Sequence, residues 1–452
     1  MDTSSPTGQE SAPAIEYTAQ ASSPVVSGEV KITICDGTLA ISALFSTVEI
    51  PFAEINAITF TNHIITVKAD SGDYSLSRMG SWAQPFYDAL TTAYSEAVLR
   101  SMFISGNPLH TAYGDFRYTE DGATHSGSAP IHVYDNSLTL LPPDLSARRV
   151  PLCFVTGMEK GDYSLTLTLD NSSRYMAAKL GYETENFANA VEKQISKLHK
   201  ESLEAVKEIA PSIPAAQASQ IAGMVLRGAA APIEQLSAIY PSFVSALESK
   251  IAETRAAEYY KVFSELCDKP LFWIGFRKNE LPEQPDDESE TGAPDPYLIW
   301  LIVPSPDGRH CAVEFTEADT ATFVYRVTGD FSNFARKLNR ALEAIDFKRE
   351  IIRLSDDELR KRENADYYMV MKRTIALQFV RKSFTGRVIH TSLAGWRRKL
   401  EELWNSEAPP SSGAPPAGAP SPVQSGSGFC KHCGALQNPG MKFCGRCGAK
   451  YN

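Results

Sequence analysis

Four cysteines stand where thiolates are needed to hold a metal. Cys430 and Cys433 form one C-x2-C pair, Cys444 and Cys447 a second, and ten residues separate the pairs. Each pair makes a tight knuckle whose two sulfurs point to one side, and two facing knuckles close a tetrahedral sulfur shell around Zn2+. Gly434 and Gly448 follow the knuckles, where the backbone turns through positive φ. With every position taken by thiolate, no site stays open for water or substrate, so the expected zinc is structural and not catalytic. In so small a unit, metal binding supplies on the order of 10 kcal/mol of folding free energy. His432, inside the first knuckle, has ligand chemistry too, but four cysteines already complete the shell. This stretch, 428–452, resembles the short zinc-ribbon modules at the ends of many prokaryotic proteins.

A second constellation runs from Tyr367 to Leu400. It holds Lys372, Arg373, Arg381, Lys382, Arg387, Arg397, Arg398 and Lys399 with no acid, interleaved with Tyr367, Tyr368, Phe379, Phe384 and Trp396. Cations neutralise phosphates and aromatics stack on bases, so one reading is a surface for nucleic acid or anionic lipid headgroups. The other is a solvated helix face paired with the acidic remainder of the protein. Residues 367–452 carry twelve Lys and Arg against three acids, while the whole chain carries −10, which puts −19 on residues 1–366.

Linear signatures of catalysis are missing. The histidines are scattered, with no zinc-protease spacing, no Gly-rich phosphate loop ending in Gly-Lys-Ser/Thr and no dinucleotide fingerprint. His125 and His132 flank Ser126-Gly127-Ser128, which lacks the context of a nucleophile elbow and reads as a polar loop between domains. A non-enzyme is expected.

The elements around these residues are duplicated. Asp36-Gly37-Thr38-Leu39-Ala40-Ile41 matches Asp135-Asn136-Ser137-Leu138-Thr139-Leu140; Ile50-Pro51-Phe52 matches Val150-Pro151-Leu152; and Ile65-Thr66-Val67-Lys68-Ala69-Asp70 matches Leu165-Thr166-Leu167-Thr168-Leu169-Asp170. The offset stays at about one hundred residues, too long for a solenoid unit and right for a duplicated domain. Both copies continue through a short strand at Tyr74 or Tyr175, a glycine at Gly80 or Gly181, and an aromatic at Phe86 or Phe187 that opens a helix, Pro85 to Leu99 or Glu185 to Leu198. Short alternating strands closed by one amphipathic helix make a small curved sheet whose open apolar end is covered by that helix. This order resembles the pleckstrin-homology-like (PH-like) family, including its bacterial relatives.

The expected fold is α+β and multidomain: a disordered lead-in over 1–27, PH-like repeats over 28–104 and 105–200, a helical spacer over 201–268 broken at Pro211, Pro214, Pro232 and Pro241, and a third, diverged copy within 269–406 that carries the basic extension. Its strands are expected at Leu271 to Phe276, Tyr297 to Val303, Cys311 to Phe315 and Thr322 to Val327, before a helix from Phe331 to Ile345, with the acidic insert Pro282 to Pro296 as a loop. A Pro/Ala/Gly/Ser linker over 407–427 tethers the zinc module.

No stretch approaches the roughly 20 apolar residues of a membrane span. With no secretory leader pattern, and with Cys35, Cys153, Cys267 and Cys311 isolated as small buried thiols of a reducing compartment, a cytoplasmic protein is expected. The function these features imply is that of an adaptor, binding protein partners through sheet edges, helix-flanked grooves and the zinc module. The alternative assigns binding of nucleic acid or an anionic membrane surface to the basic stretch.

Overall fold

The computed structural model describes residues 16–35, 37–120, 122–278, 297–316, 321–345 and 354–406. The acidic insert, the linker and all four zinc-spaced cysteines lie outside them.

The duplication is a duplication of structure. The first repeat contains β1 (Glu16–Ser22), β2 (Ser27–Cys35), β3 (Thr38–Ser42), β4 (Thr47–Pro51), β5 (Ile55–Thr61), β6 (Ile64–Ala69), β7 (Gly72–Ser77) and α1 (Ala83–Ser101). The second contains β8 (His110–Glu120), β9 (Ala123–Val133), β10 (Ser137–Leu140), β11 (Arg148–Pro151), β12 (Val155–Gly161), β13 (Ser164–Leu169), β14 (Arg174–Ala178) and α2 (Thr184–Ile209). Both seven-stranded sheets are antiparallel, in the orders β4-β3-β2-β1-β7-β6-β5 and β11-β10-β9-β8-β14-β13-β12. Alternation drives each core: Leu39, Ile41, Ile65 and Val67 face inward in the first, Leu138, Leu140, Leu165 and Leu167 in the second. Phe86 and Phe187 close these cores from the helices. Gly80 and Gly181, at φ 57° and 60°, make the same left-handed turn before each helix.

Part of the expected lead-in is a strand. Residues 16–22 form β1, which pairs with both β2 and β7 and buries Tyr17, Ala19 and Ala21. Alanines supply most of its inward face, so its period-2 signal has little hydrophobic contrast.

The helical segment is not a spacer. α2 is one 26-residue helix, so no boundary falls at residue 200. Its N-terminal half supplies Phe187 and Val191 to the second repeat's core, and its C-terminal half supplies Val206 and Ile209 to the next. There α3 (Ala215–Met224), α4 (Ile233–Ile239), α5 (Pro241–Ala252) and α6 (Ala257–Leu266) cover one face of a third sheet.

That sheet has six strands in sequence order: β15 (Ala231–Pro232), β16 (Trp273–Lys278), β17 (Tyr297–Pro304), β18 (His310–Phe315), β19 (Ala321–Arg326) and β20 (Phe384–Ile389). The four expected strands and the helix α7 (Phe331–Ala344) are present, but the arrangement is not that of the repeats. β17 is buried along its whole length, and a strand apolar on both sides needs cover on both. α7 supplies the second cover with Phe334, Leu338 and Leu342. The remaining helices are α8 (Asp356–Leu359), α9 (Ala365–Arg373), α10 (Ile375–Ser383) and α11 (Leu393–Trp404). Among the described residues no helix is long and apolar enough to cross a membrane.

Candidate functional site

An antiparallel sheet in this strand order leaves two edges, and an edge presents unpaired N–H and C=O groups that template an extended segment. In the first repeat the β5 edge is already filled. Ile58 N–H donates to the Pro143 carbonyl at 2.8 Å, and Ala57 bridges Asp144 in antiparallel sense. Pro142 and Pro143 hold this connection between β10 and β11 extended, and Asp144 shapes its exit by accepting from Ser146 N–H at 2.7 Å. Leu141, Ala147 and Tyr134 of the second repeat are thereby buried in the first repeat's core.

Arg373, at the end of α9 and 2% exposed, locks this joint. Its guanidinium donates to the Asp144 carbonyl at 2.6 Å, to the Ile55 carbonyl at 3.2 Å and to the Tyr94 hydroxyl. Burial pushes Arg373 down to about 10, which leaves it charged at neutral pH.

The equivalent edge of the second repeat is β12. Register proves the equivalence: Ile58 faces Val67 where Met158 faces Leu167, and a bulge interrupts the pairing between Ile55 and Ala57 as between Val155 and Gly157. Among the described residues no strand pairs with the outer side of β12. At its far end lies an open cavity of about 730 Å3, lined by Lys160, Asp162, Tyr163, Tyr182 and Glu185, between the β12–β13 turn and the start of α2. Tyr182 is 100% exposed and Tyr163 is exposed as well. Lys160 is held over the cavity wall by Glu192 at 2.9 Å. The arrangement combines a backbone template, two aromatic faces and charges of both signs, which suits an extended peptide.

Beside each edge a duplicated aspartate anchors a later helix. Asp70 accepts from Tyr368 at 2.7 Å, Lys372 at 3.0 Å and Asn56 at 2.9 Å. Asp170, its counterpart, binds Arg340 of α7. Burial works to raise the Asp70 carboxyl, but the hydrogen bonds from Tyr368, Asn56 and Lys372 together outweigh it and hold the group below its ordinary value. Neighbouring Glu54 goes the other way, raised first by burial and then by the Asp70 charge, so it takes up its proton first on acidification. A depressed carboxylate contributes stability that is full above its unfolded value, about 3.9, and lost as pH falls through the folded value. Amide exchange in α9, corrected for intrinsic rates, is therefore expected to accelerate below about pH 4. In Asp70→Asn the same amides should exchange fast without this acid step.

The basic stretch does not form one face. Its cations are spread over α9, α10, β20 and α11. Lys372 and Arg373 turn inward onto the first repeat; Arg381 reaches the Leu354 carbonyl and Asp356; Arg397 pairs with Glu265 at 3.3 Å and Glu401 at 3.1 Å. Lys382, Arg387, Arg398 and Lys399 are exposed. Ser126-Gly127-Ser128 is no interdomain loop but the middle of β9, where Gly127 admits the Phe116 ring and His125 stacks on Tyr118 at 4.9 Å. Cys153 and Cys311 are buried as expected, whereas Cys35, at the end of β2, is exposed.

One constellation left no linear trace. Thr322, Glu314 and His390 converge on β18, β19 and the end of β20, and Trp396 Nε1 donates to Thr322 Oγ1 at 2.8 Å. His390 Nε2 lies 3.1 Å from Thr322 Oγ1 and 3.2 Å from Glu314 Oε2. The threonine hydroxyl donates to Glu314, not to the imidazole, and Thr322 is fully buried. This wiring pins α11 to the sheet, with the Thr322 hydroxyl enclosed among Glu314, His390 and Trp396. Among the described residues no three His, Cys, Asp or Glu gather as a metal site.

No family model matches the sequence. No curated protein matches it either. Among solved structures the chain is similar to one titled "Structure of the Spt16D Pob3N heterodimer", at 12% identity over 35% of this chain and 84% of that chain. The TM-score is 0.16, too low to carry fold or function across.

Proposed function

We propose that this is a non-catalytic interaction protein of the cytoplasm, built on two PH-like repeats, whose recognition surface is the open β12 edge with the cavity at its end. The PH-like reading is supported by seven antiparallel strands in the same order twice, each set closed by a C-terminal helix. The carrying observation is internal: the equivalent edge of the first repeat holds an extended Pro-Pro-Asp segment by a backbone bond from Ile58. An edge that takes such a segment in one copy is a template for one in the other.

The test uses a variant that removes the outward donor, along with a partly buried side chain that packs on the second repeat's core. Met158 N–H, like that of Ile58, points away from the sheet, so Met158→Pro keeps the pairing with β13 and is tolerated as an edge proline. Random-peptide display on the full chain is expected to enrich extended sequences that Met158→Pro fails to retain. Enrichment of the same peptides on both proteins, or of none, would overturn the reading.

We also infer a single structural zinc, held by Cys430, Cys433, Cys444 and Cys447 in a tethered ribbon, where the linker keeps a second contact at high local concentration near a bound partner. Thiolate ligation suits a reducing compartment. Elemental analysis should find about one zinc per chain, falling to none in Cys430→Ser/Cys444→Ser. Equal zinc content in the two proteins would remove the inference.

A further inference from the structure

The first repeat carries an unmatched counterpart of the segment that fills its own edge. In the second repeat the connection between β10 and β11, residues 141–147, is the plug that enters the β5 edge. In the first repeat the same connection, residues 43–46 between β3 and β4, is a tight hairpin closed by Ala43 N–H to the Ser46 carbonyl at 2.7 Å. Its tip holds Leu44 and Phe45, which are 86% and 94% exposed. Adjacent large apolar side chains in water mark a contact surface.

Each chain thus has one plug and one socket engaged with each other, and one plug and one socket, Leu44–Phe45 and β12, engaged with nothing among the described residues. We propose that the occupant of the β12 edge is a second copy of this chain, whose Leu44–Phe45 hairpin docks beside Gly157 and Met158 and repeats between molecules the joint that links the repeats within one. This rests on the edge reading above and names its partner. The free plug is shorter than the engaged one, with Ser42 and Thr47 at the positions of the buried Leu141 and Ala147, so its apolar contact comes from Leu44 and Phe45 at the tip. The contact is heterologous, with different surfaces on the two copies, so it propagates head to tail or closes into a ring. A membrane is the weaker occupant: no Lys or Arg stands between Lys31 and Lys68, so the hairpin lacks the cations that hold an anionic surface.

The experiment is sedimentation velocity of the full chain across a wide concentration range, with two variants, Leu44→Ser/Phe45→Ser and Met158→Pro. The parent is expected to grow in mass with concentration, each variant alone to stay monomeric, and a mixture of the variants to form dimers that grow no further, because one retains only the socket and the other only the plug. Amide exchange over 155–161 should slow as parent concentration rises, a readout independent of how well Met158→Pro folds. A parent that stays monomeric, a hairpin variant that associates like the parent, or a mixture that does not pair would each overturn the proposal. So would loss of binding to phosphatidylserine vesicles in the hairpin variant while the parent remains monomeric. If display still selects peptides on β12 while the parent stays monomeric, self-docking alone fails; if neither occurs, the edge reading fails with it.

Discussion

Replacing Arg373 with alanine is expected to loosen α9 on the first repeat, where Tyr368 and Lys372 still hold it to Asp70, and to cost about 2–4 kcal/mol in the stability of that joint. The guanidinium bonds both sides of the interface, with the Ile55 carbonyl and Tyr94 in the first repeat and the Asp144 carbonyl in the second. Ile55 retains the Tyr94 hydroxyl at 3.2 Å and the Asp144 carbonyl retains the Ala147 N–H at 3.4 Å, so the loss falls on the bonds that join the two sides. Arg373→Lys should recover less than half, because a single ammonium lacks the planar fork that reaches separate acceptors. Arg373→Met should be milder than alanine, since it fills the volume and removes the cost of burying a charge. Amide exchange over β5 and α9 reads all three variants; an alanine variant with parental protection would show that the cation is incidental to the joint.

Replacing Glu343 with alanine is expected to be at least as damaging, about 3–5 kcal/mol, at the junction of the second repeat with α7. Its side chain is 1% exposed and forks with Arg149 at 2.6 and 2.7 Å, with Arg227 Nε at 3.3 Å. Truncation takes the carboxylate from two largely enclosed guanidinium groups, of which Arg149 keeps the Asn136 Oδ1 at 3.2 Å. The double replacement Glu343→Met/Arg149→Met removes one charge with its partner and should recover a large part of the loss, as apolar substitutes for buried ion pairs do. Denaturant unfolding of the two single variants and the double closes the cycle. A double variant as unstable as the sum of its singles would mean that the pair is uncoupled.

Several features were legible because they are local. The zinc proposal rests on thiolate spacing alone and lies outside the described residues; two C-x2-C pairs need only their own turns to aim four sulfurs. The repeat was legible because matching turns and alternating positions recur at one offset, and the pairing registers Ile58 to Val67 and Met158 to Leu167 bear it out. The strands from Trp273 to Arg326 were visible as apolar runs, but a run buried on both sides does not say what covers it. That is why the helices between Ala215 and Leu266 read as a spacer when they are one layer of the third unit.

What tertiary structure alone decided is which like elements are used and which remain available. Composition left the basic stretch open between a polyanion surface and a face paired with the acidic remainder of the protein; burial against Ile55, Asp144 and Asp70 made Lys372 and Arg373 interdomain fasteners, because a cation's role depends on the acceptors that the fold brings to it. The two edges β5 and β12 come from similar sequence and share one register. β5 is filled because Leu141 to Ala147 follows β10 and reaches back to the repeat before it, whereas among the described residues no strand pairs with the outer side of β12, a consequence of chain order that no local pattern records. The sequence by itself determined two repeats, the spacing of four cysteines and their order; the third dimension determined that one repeat serves as the other's ligand.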